Sequence, residues 1–287
     1  MAPGNYSVRV MRRDEVDLAV DWAAREGWNP GIDDARCFHA ADMEGFLIGM
    51  LDGEPVGCIS AVRYDDGFGF LGFYIVEPSW RGRGYGLRLW EAAMAHLGDR
   101  VVGLDGVVEQ QGNYARSGFR LAHRNIRFRG LATGQAGADP ASMSEPVVVS
   151  APDFARVSIY DRPLFPAGRD GFLRMWLAQE QGVALALAHR EEMHGYGVAR
   201  PCRQGWKVGP LFADTPAAAD RLLSGLTAHV PAGDAFYLDV PAVNPAALAL
   251  AARYGMEPVF ETARMYKGAA PALPLDRIYG ITSYELG

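Results

Sequence analysis

The stretch Val76-Glu77-Pro78-Ser79-Trp80-Arg81-Gly82-Arg83-Gly84-Tyr85-Gly86 joins an apolar run, FGFLGFYI, to a run with helical spacing, LRLWEAAMAHL. Pro78 has no N–H to give to a sheet ladder, so the strand ending at Val76 is expected to stop pairing there and splay from its neighbour. The freed backbone groups can then meet something extended. Beyond it, Gly82, Gly84 and Gly86 accept positive φ and close approach, which lets successive N–H groups converge on one anion. The helix starting near Gly84 aims its unsatisfied N–H groups and positive dipole end at the same place, worth roughly 0.3 to 1 kcal/mol per exposed charge. Arg81 and Arg83 add positive charge. The local physics describes a diphosphate cradle beside an open strand edge.

Two common phosphate-binding patterns do not fit. GxxxxGK followed by Ser or Thr does not occur in the chain. A dinucleotide fold would find its ribose-binding acid in Asp105, but its third fingerprint glycine falls on Leu87 and no tight turn follows Val76. A glycine-rich surface turn with solvated arginines is the bland alternative.

The chain has 287 residues, enough for two ordinary domains, and its 49% hydrophobic content is ample for a packed core. A net charge of -6 with no long Lys/Arg block argues against a nucleic-acid partner. No stretch of about 18 uncharged apolar residues points to a membrane span, and the start MAPGNYSVRVMRRDEVD has no signal-like apolar region. Cys37, Cys58 and Cys202 are odd in number and far apart, which fits a reducing, cytoplasmic setting. No residues are spaced as a metal site.

Residues 131–146, LATGQAGADPASMSEP, lack apolar periodicity and read as a linker. Before it the order is strand, two helices, hairpin, strand, helix, strand, short helix, strand. After it the order recurs from a strand RVSIY onward. Landmarks repeat at an offset of about 137 to 138 residues: Gly57 with Gly195, Pro78 with Pro216, Gly118 with Gly255, Arg127 with Arg264. A duplicated α/β domain is the natural reading.

The string V-x-P followed by R-G-x-G-x-G, set between a strand and a helix, resembles the acetyl-CoA signature of the GNAT acetyltransferases. Tyr114-Ala115-Arg116-Ser117-Gly118-Phe119 resembles the family's Tyr-x-x-x-Gly-Phe. The resemblance covers most of residues 7 to 129 by element order. EGWNPGIDDARCF and GLDGVVEQQGNYARSGF are similar to two-domain bacterial members whose second half is a degenerate copy. The fold class so implied is α/β, an α+β mixed sheet, as a tandem GNAT acyl-CoA N-acyltransferase fold in two copies. Residues 1–130 would form the catalytic domain that binds acetyl-CoA, 131–146 the linker, and 147–287 the degenerate domain.

By the same resemblance, the protein is an N-acetyltransferase that moves an acetyl group from acetyl-CoA to an amine of a small molecule or peptide by direct attack. Tyr74, Ile75 and Val76 would meet the cofactor, Val76 pairing its backbone with the pantetheine arm. Arg81, Gly82, Arg83, Gly84, Tyr85 and Gly86 would receive the pyrophosphate on their N–H groups. Tyr114 matches the tyrosine that donates a proton to the departing thiolate, and a phenol pKa near 10 keeps it protonated at neutral pH. Its alternative is a core aromatic on a short amphipathic helix.

Departures from the pattern matter as much. An acceptor amine with pKa near 10.4 must lose a proton at a cost of roughly 4 to 5 kcal/mol at pH 7. The family's Glu or His on the strand before the loop is replaced here by Phe70 and Gly72. Tyr74, Glu77, Glu109 and a water chain are the candidates that remain, and a noncatalytic acyl-CoA-binding sensor or interaction protein is the alternative function. The family's Asn-x-x-Ala before the tyrosine is absent from the first half, where Val107 and Gln110 stand. In the second half, Ala251 occupies the tyrosine position and FADTPAAADRLL replaces the glycine loop, with Thr215 or Asp214 as helix cap and Pro216 at the first helical position. That copy is expected to bind no CoA. On the acceptor side, Trp28, Asp33 and Asp34 could hold a cationic amine, while Trp22 reads equally as core and the two aspartates equally as helix caps.

Overall fold

The computed structural model describes residues 4–134, 147–148 and 154–287, so residues 135–146 of the expected linker lie outside the described residues. The first half runs β1 (Tyr6–Val10), α1 (Arg13–Arg25), α2 (Asp34–His39), β2 (Phe46–Leu51), β3 (Glu54–Arg63), β4 (Phe68–Val76), α3 (Tyr85–Leu97), β5 (Val101–Val107), α4 (Gln111–Arg116) and β6 (Arg120–Leu131). The second half runs β7 (Val147–Val148), α5 (Phe154–Asp161), α6 (Asp170–Leu177), β8 (Val183–His189), β9 (Glu192–Pro201), β10 (Trp206–Ala213), α7 (Pro216–Thr227), β11 (Ala235–Pro241), α8 (Pro245–Arg253), β12 (Glu257–Lys267) and β13 (Ile278–Gly280). Helical spacing places Leu89, Ala93 and Leu97 of α3 on one buried stripe against the sheet. No described helix is long and apolar enough to cross a membrane.

The expectation of a strand at RVSIY is corrected: these residues lie in α5. Alternation of Val157 and Ile159 suggested a strand, but the stripe that buries is Phe154, Val157 and Tyr160 at helical spacing, and Ile159 is 75% exposed. Packing of that stripe overrides the β preference of Val and Ile.

All strands among the described residues join one mixed sheet in the order β1-β2-β3-β4-β5-β12-β6-β11-β10-β9-β8-β7, with β13 added to β10. The halves therefore exchange their long final strands. β12 of the second half pairs with β5 of the first, and β6 of the first pairs with β11 of the second. Two buried ion pairs lock the exchange reciprocally: Arg127 of β6 grips Asp239 of β11 at 2.6 and 2.8 Å, and Arg264 of β12 grips Asp105 of β5 at 2.8 and 2.6 Å. The repeated landmark arginines are these clasps, and the acid weighed for a ribose is one of their partners. The core is shared too, since Phe38 and Phe73 pack in one cluster with Phe172, Trp176 and Val198.

RIYGITSYELG forms less strand than its alternation suggests. β13 stops at Gly280, yet every residue from Ile278 to Gly287 is buried. This segment starts in the second half and ends against the first, where Gly287 lies close to Phe70.

Candidate active site

The gap in the sheet opens earlier than the proline predicts. Parallel pairing of β4 with β5 covers Phe68–Leu71 and Val101–Leu104 and ends there. On the other edge Gly72 faces Ser60 and Ile75 faces Cys58, so Phe73 and Tyr74 share the single partner Ile59 in a bulge. Phe73 takes a φ of 46°, a left-handed value rare for an aromatic residue. Pairing toward β3 continues past Val76, because the Glu77 N–H still donates to the Val56 carbonyl. The bulge, rather than Pro78, turns β4 away from β5 and leaves the edge of residues 72–75 open toward it.

A cavity of about 680 Å³ fills this opening, lined at one end by Gly82, Gly84 and Gly86. Gly82 and Gly84 have φ of 74° and 86°, and Gly84 is the N-cap of α3, so the loop carries the chain straight into the helix N-terminus. Gly86 is required by packing: a Cβ there would lie 2.8 Å from the Tyr74 hydroxyl. Tyr74, Ile75, Val76 and Arg81 also line the cavity. Arg81 Nε donates to the Val76 carbonyl at 2.7 Å and its guanidinium pairs with Glu26, so the carbonyl expected to meet a pantetheine is held by the protein itself. Arg83 and Tyr85 stand outside the cavity, Arg83 over the Trp80 ring at 4.8 Å and Tyr85 stacked on Tyr6 at 4.7 Å.

Tyr114 lines the middle of the cavity beside Trp90, ring centroids 5.8 Å apart. Gly106 makes room for it, because a Cβ there would sit 2.3 Å from the phenol ring. Burial, with the neighbouring Tyr74 adding to it, pushes the Tyr114 phenol up to about 12, so it is a protonated donor at neutral pH.

The far end of the cavity mixes the two halves: Trp28 from the first, with Phe260, Thr262, Tyr284 and Glu285 from the second. The Trp28 carbonyl accepts from Arg127 at 2.9 Å and Lys207 at 3.1 Å. Asp34 does not line the cavity. It is fully buried, accepts from Arg200 at 2.8 Å and from the Gly31 N–H at 2.7 Å, and fastens the loop between α1 and α2 to β9. Asp33 pairs with Arg36 at 3.1 Å and is also outside the lining. Of the base candidates, Glu77 pairs with Arg25 at 2.9 Å and Glu109 is exposed.

Why β4 carries glycine where a base was sought is visible in the packing. A Cβ on Gly72 would lie 2.1 Å from the Glu285 carbonyl oxygen, so the segment 278–287 runs where a side chain would project. Sequence reasoning missed Trp90, Tyr284 and Glu285. The helical spacing of Trp90 from Gly86 was a usable signal for the first, whereas Tyr284 and Glu285 arrive from about 200 residues away in sequence.

A model described as the Acetyltransferase (GNAT) family matches residues 13–119, and one described as an Acetyltransferase (GNAT) domain matches residues 157–280. Holothin acyltransferase of Pseudoalteromonas sp. (strain SANK 73390) is 32% identical over 274 residues, spanning 96% of this chain and 92% of that protein. This chain belongs to the GNAT family. Two solved structures share the fold of this GNAT chain. One, from Pyrococcus horikoshii, has a TM-score of 0.80 at 21% identity, covering 98% of this chain and 96% of the other. The other, a tandem GNAT protein from the clavulanic acid biosynthesis pathway, has a TM-score of 0.65 at 15% identity, covering 93% and 100%.

The second GNAT unit has the same cleft, closed by the chain itself. β10 pairs in parallel with β11 only over Trp206–Val208, and its ladder with β9 shifts register between Val208 and Leu211. β13 enters the opening: it pairs with β10, and the Ile281 N–H donates to the Asp239 carbonyl on β11. Gly209, 137 positions after Gly72, meets this segment likewise, since a Cβ there would lie 2.6 Å from the Thr282 carbonyl oxygen. In place of the glycine loop, Thr215 caps α7 by accepting from the Ala218 N–H at 3.2 Å. Asp214 accepts from Tyr160 at 2.8 Å and Arg277 at 2.6 Å. Ala251 is buried in the core.

Proposed function

We propose that this GNAT protein transfers an acetyl group from acetyl-CoA to an amine of a small molecule or peptide by direct attack. We take residues 1–130 as the unit that holds the cofactor and 147–287 as a copy that binds none. The observation that carries the reading is one continuous cavity. It runs from the glycine loop, past the open edge of β4, to the Tyr114 phenol, and ends in a pocket built by both halves. The loop N–H groups and the α3 N-terminus suit a pyrophosphate, and the unpaired edge at residues 72–75 suits the amides of a pantetheine arm. A buried phenol that stays protonated suits the donation of a proton to a leaving thiolate. In the second cleft β13 occupies the corresponding opening and the Asp214 carboxylate would repel a phosphate. The relative named for acyl transfer to holothin supports an acyl-group transfer to a small acceptor. Three buried free cysteines suit a cytoplasmic setting.

Titration calorimetry with acetyl-CoA, followed by thiol release in the presence of amino acids, polyamines, aminoglycosides and peptide amines, tests this. One acetyl-CoA bound per chain and amine-dependent release of CoA are expected. Two bound per chain, or none at micromolar concentration, would end the reading.

A further inference from the structure

Glu285 is 2% exposed, lines the acceptor end of the cavity, and neither of its carboxylate oxygens has a hydrogen-bond partner among the described residues. Such a group is costly to bury unless something binds it. Three cations on strands packed around it sense its charge: Arg127 on β6, Arg200 on β9 and Lys207 on β10. Arg127 is committed to Asp239 and Lys207 to the Trp28 carbonyl, while Arg200 holds Asp34 through Nε and Nη2 and its Nη1, though buried, makes no hydrogen bond to Glu285. Beside Glu285, the Tyr284 and Thr262 hydroxyls lie close enough to sense each other, yet neither completes a hydrogen bond of ordinary geometry. All three residues are among those that line the cavity, and all come from the second half.

We propose that Glu285 is the catalytic base for the acceptor amine, and that the second half supplies it, with Tyr284 and Thr262 as the polar groups that orient the acceptor. The proposal rests on the transferase reading above and names the base that the first half lacks. The Glu285 carboxylate takes a proton from the ammonium, and the freed nitrogen lone pair attacks the thioester carbonyl carbon. A C–N bond forms and the C–S bond breaks. The departing sulfur takes the Tyr114 phenol proton, the phenolate recovers a proton from the newly formed amide nitrogen, and Glu285 releases its proton to solvent. Gly72 makes this possible, because any side chain on β4 at that position would displace the segment that brings Glu285 in.

The test compares two nucleophiles with the full chain and saturating acetyl-CoA: 2-phenylethylamine, protonated at pH 7 and matched to the aromatic walls of Trp28, Phe260 and Tyr284, and hydroxylamine, already neutral at that pH. In Glu285→Gln, the ratio of phenylethylamine to hydroxylamine turnover should fall about 100-fold, the size of a general-base contribution. At subsaturating phenylethylamine the turnover that remains in Glu285→Gln should climb about tenfold per pH unit up to the amine's own pKa, because only the already neutral amine then reacts. Glu285→Asp should fall between the two. An unchanged ratio in Glu285→Gln would overturn the proposal and leave the transferase reading intact. Loss of acetyl-CoA binding in both variants would make Glu285 a structural residue and overturn it as well. If the parent binds acetyl-CoA but turns over neither amine, the transferase reading falls and takes this inference with it.

Discussion

Tyr114 is the proton donor of the proposed reaction, and its environment decides what it can do. Burial beside Trp90 and Tyr74 holds the phenol protonated up to about pH 12, so it can give a proton and cannot serve as a base near neutrality. Tyr114→Phe should lower turnover about 100-fold while acetyl-CoA affinity, read by calorimetry, stays within about twofold. The same burial acts on thiols. Cys37 is pushed up to about 12, and Cys58 and Cys202 are pushed up too, in each case first by burial. A group whose folded pKa is raised contributes stability that is complete below its unfolded pKa and fades as pH climbs toward the folded value. Lys207, lowered to about 8 by burial and then by Arg127, works the other way between about pH 8 and its unfolded value of 10.5, but it is one group against three. The urea midpoint should therefore drop progressively above pH 9, and a midpoint that is flat or rising from pH 9 to 10.5 would contradict this account. Arg127 carries a different load: Arg127→Met leaves Asp239 buried without its hydrogen-bonded partner, with only the more distant charges of Lys207 and Arg200 acting on it, and should cost about 3 kcal/mol in urea denaturation.

At the scale of the element, the bulge in β4 and the glycines beside the segment 278–287 shape the candidate site. Gly72→Ala would force a Cβ to within 2.1 Å of the Glu285 carbonyl. It should remove amine-dependent turnover and destabilise by about 1 to 3 kcal/mol, the usual range for overpacking. Gly209→Ala meets the same segment in the second cleft at 2.6 Å. It should show a similar loss of stability in a thermal melt while acetyl-CoA affinity is kept. Identical effects of the two substitutions on acetyl-CoA binding would mean that the clefts are not divided in function as proposed. Elements whose own stripe decides their burial, such as α3, were legible from spacing. α5 was not, because its β-branched residues favour a strand and only its packing partners select the helix.

At the scale of the whole molecule, the strand exchange makes each half incomplete alone. Removing the second half would expose the β5 edge that β12 covers and leave β6 without either neighbour. A fragment of residues 1–134 should aggregate when expressed alone, and co-expression with 147–287 should restore a soluble complex that binds acetyl-CoA. A monomeric, folded 1–134 fragment by size exclusion and circular dichroism would refute the interdependence.

The sequence by itself determined the duplicated α/β plan, the glycine loop between strand and helix, the position of Tyr114, and the replacement of that loop in the second copy. Those features are local: they follow from periodicity, turn residues and a helix start read within some ten residues of each other. Tertiary structure alone decided that the halves trade strands, that Asp34 is a clasp to Arg200 rather than a cavity residue, and that Glu285 reaches the cleft of the other half. Nothing in the local composition distinguishes a carboxylate near the end of a surface turn from one buried against a distant strand. That difference is set by which backbone lies against Gly72, a contact between residues more than 200 positions apart.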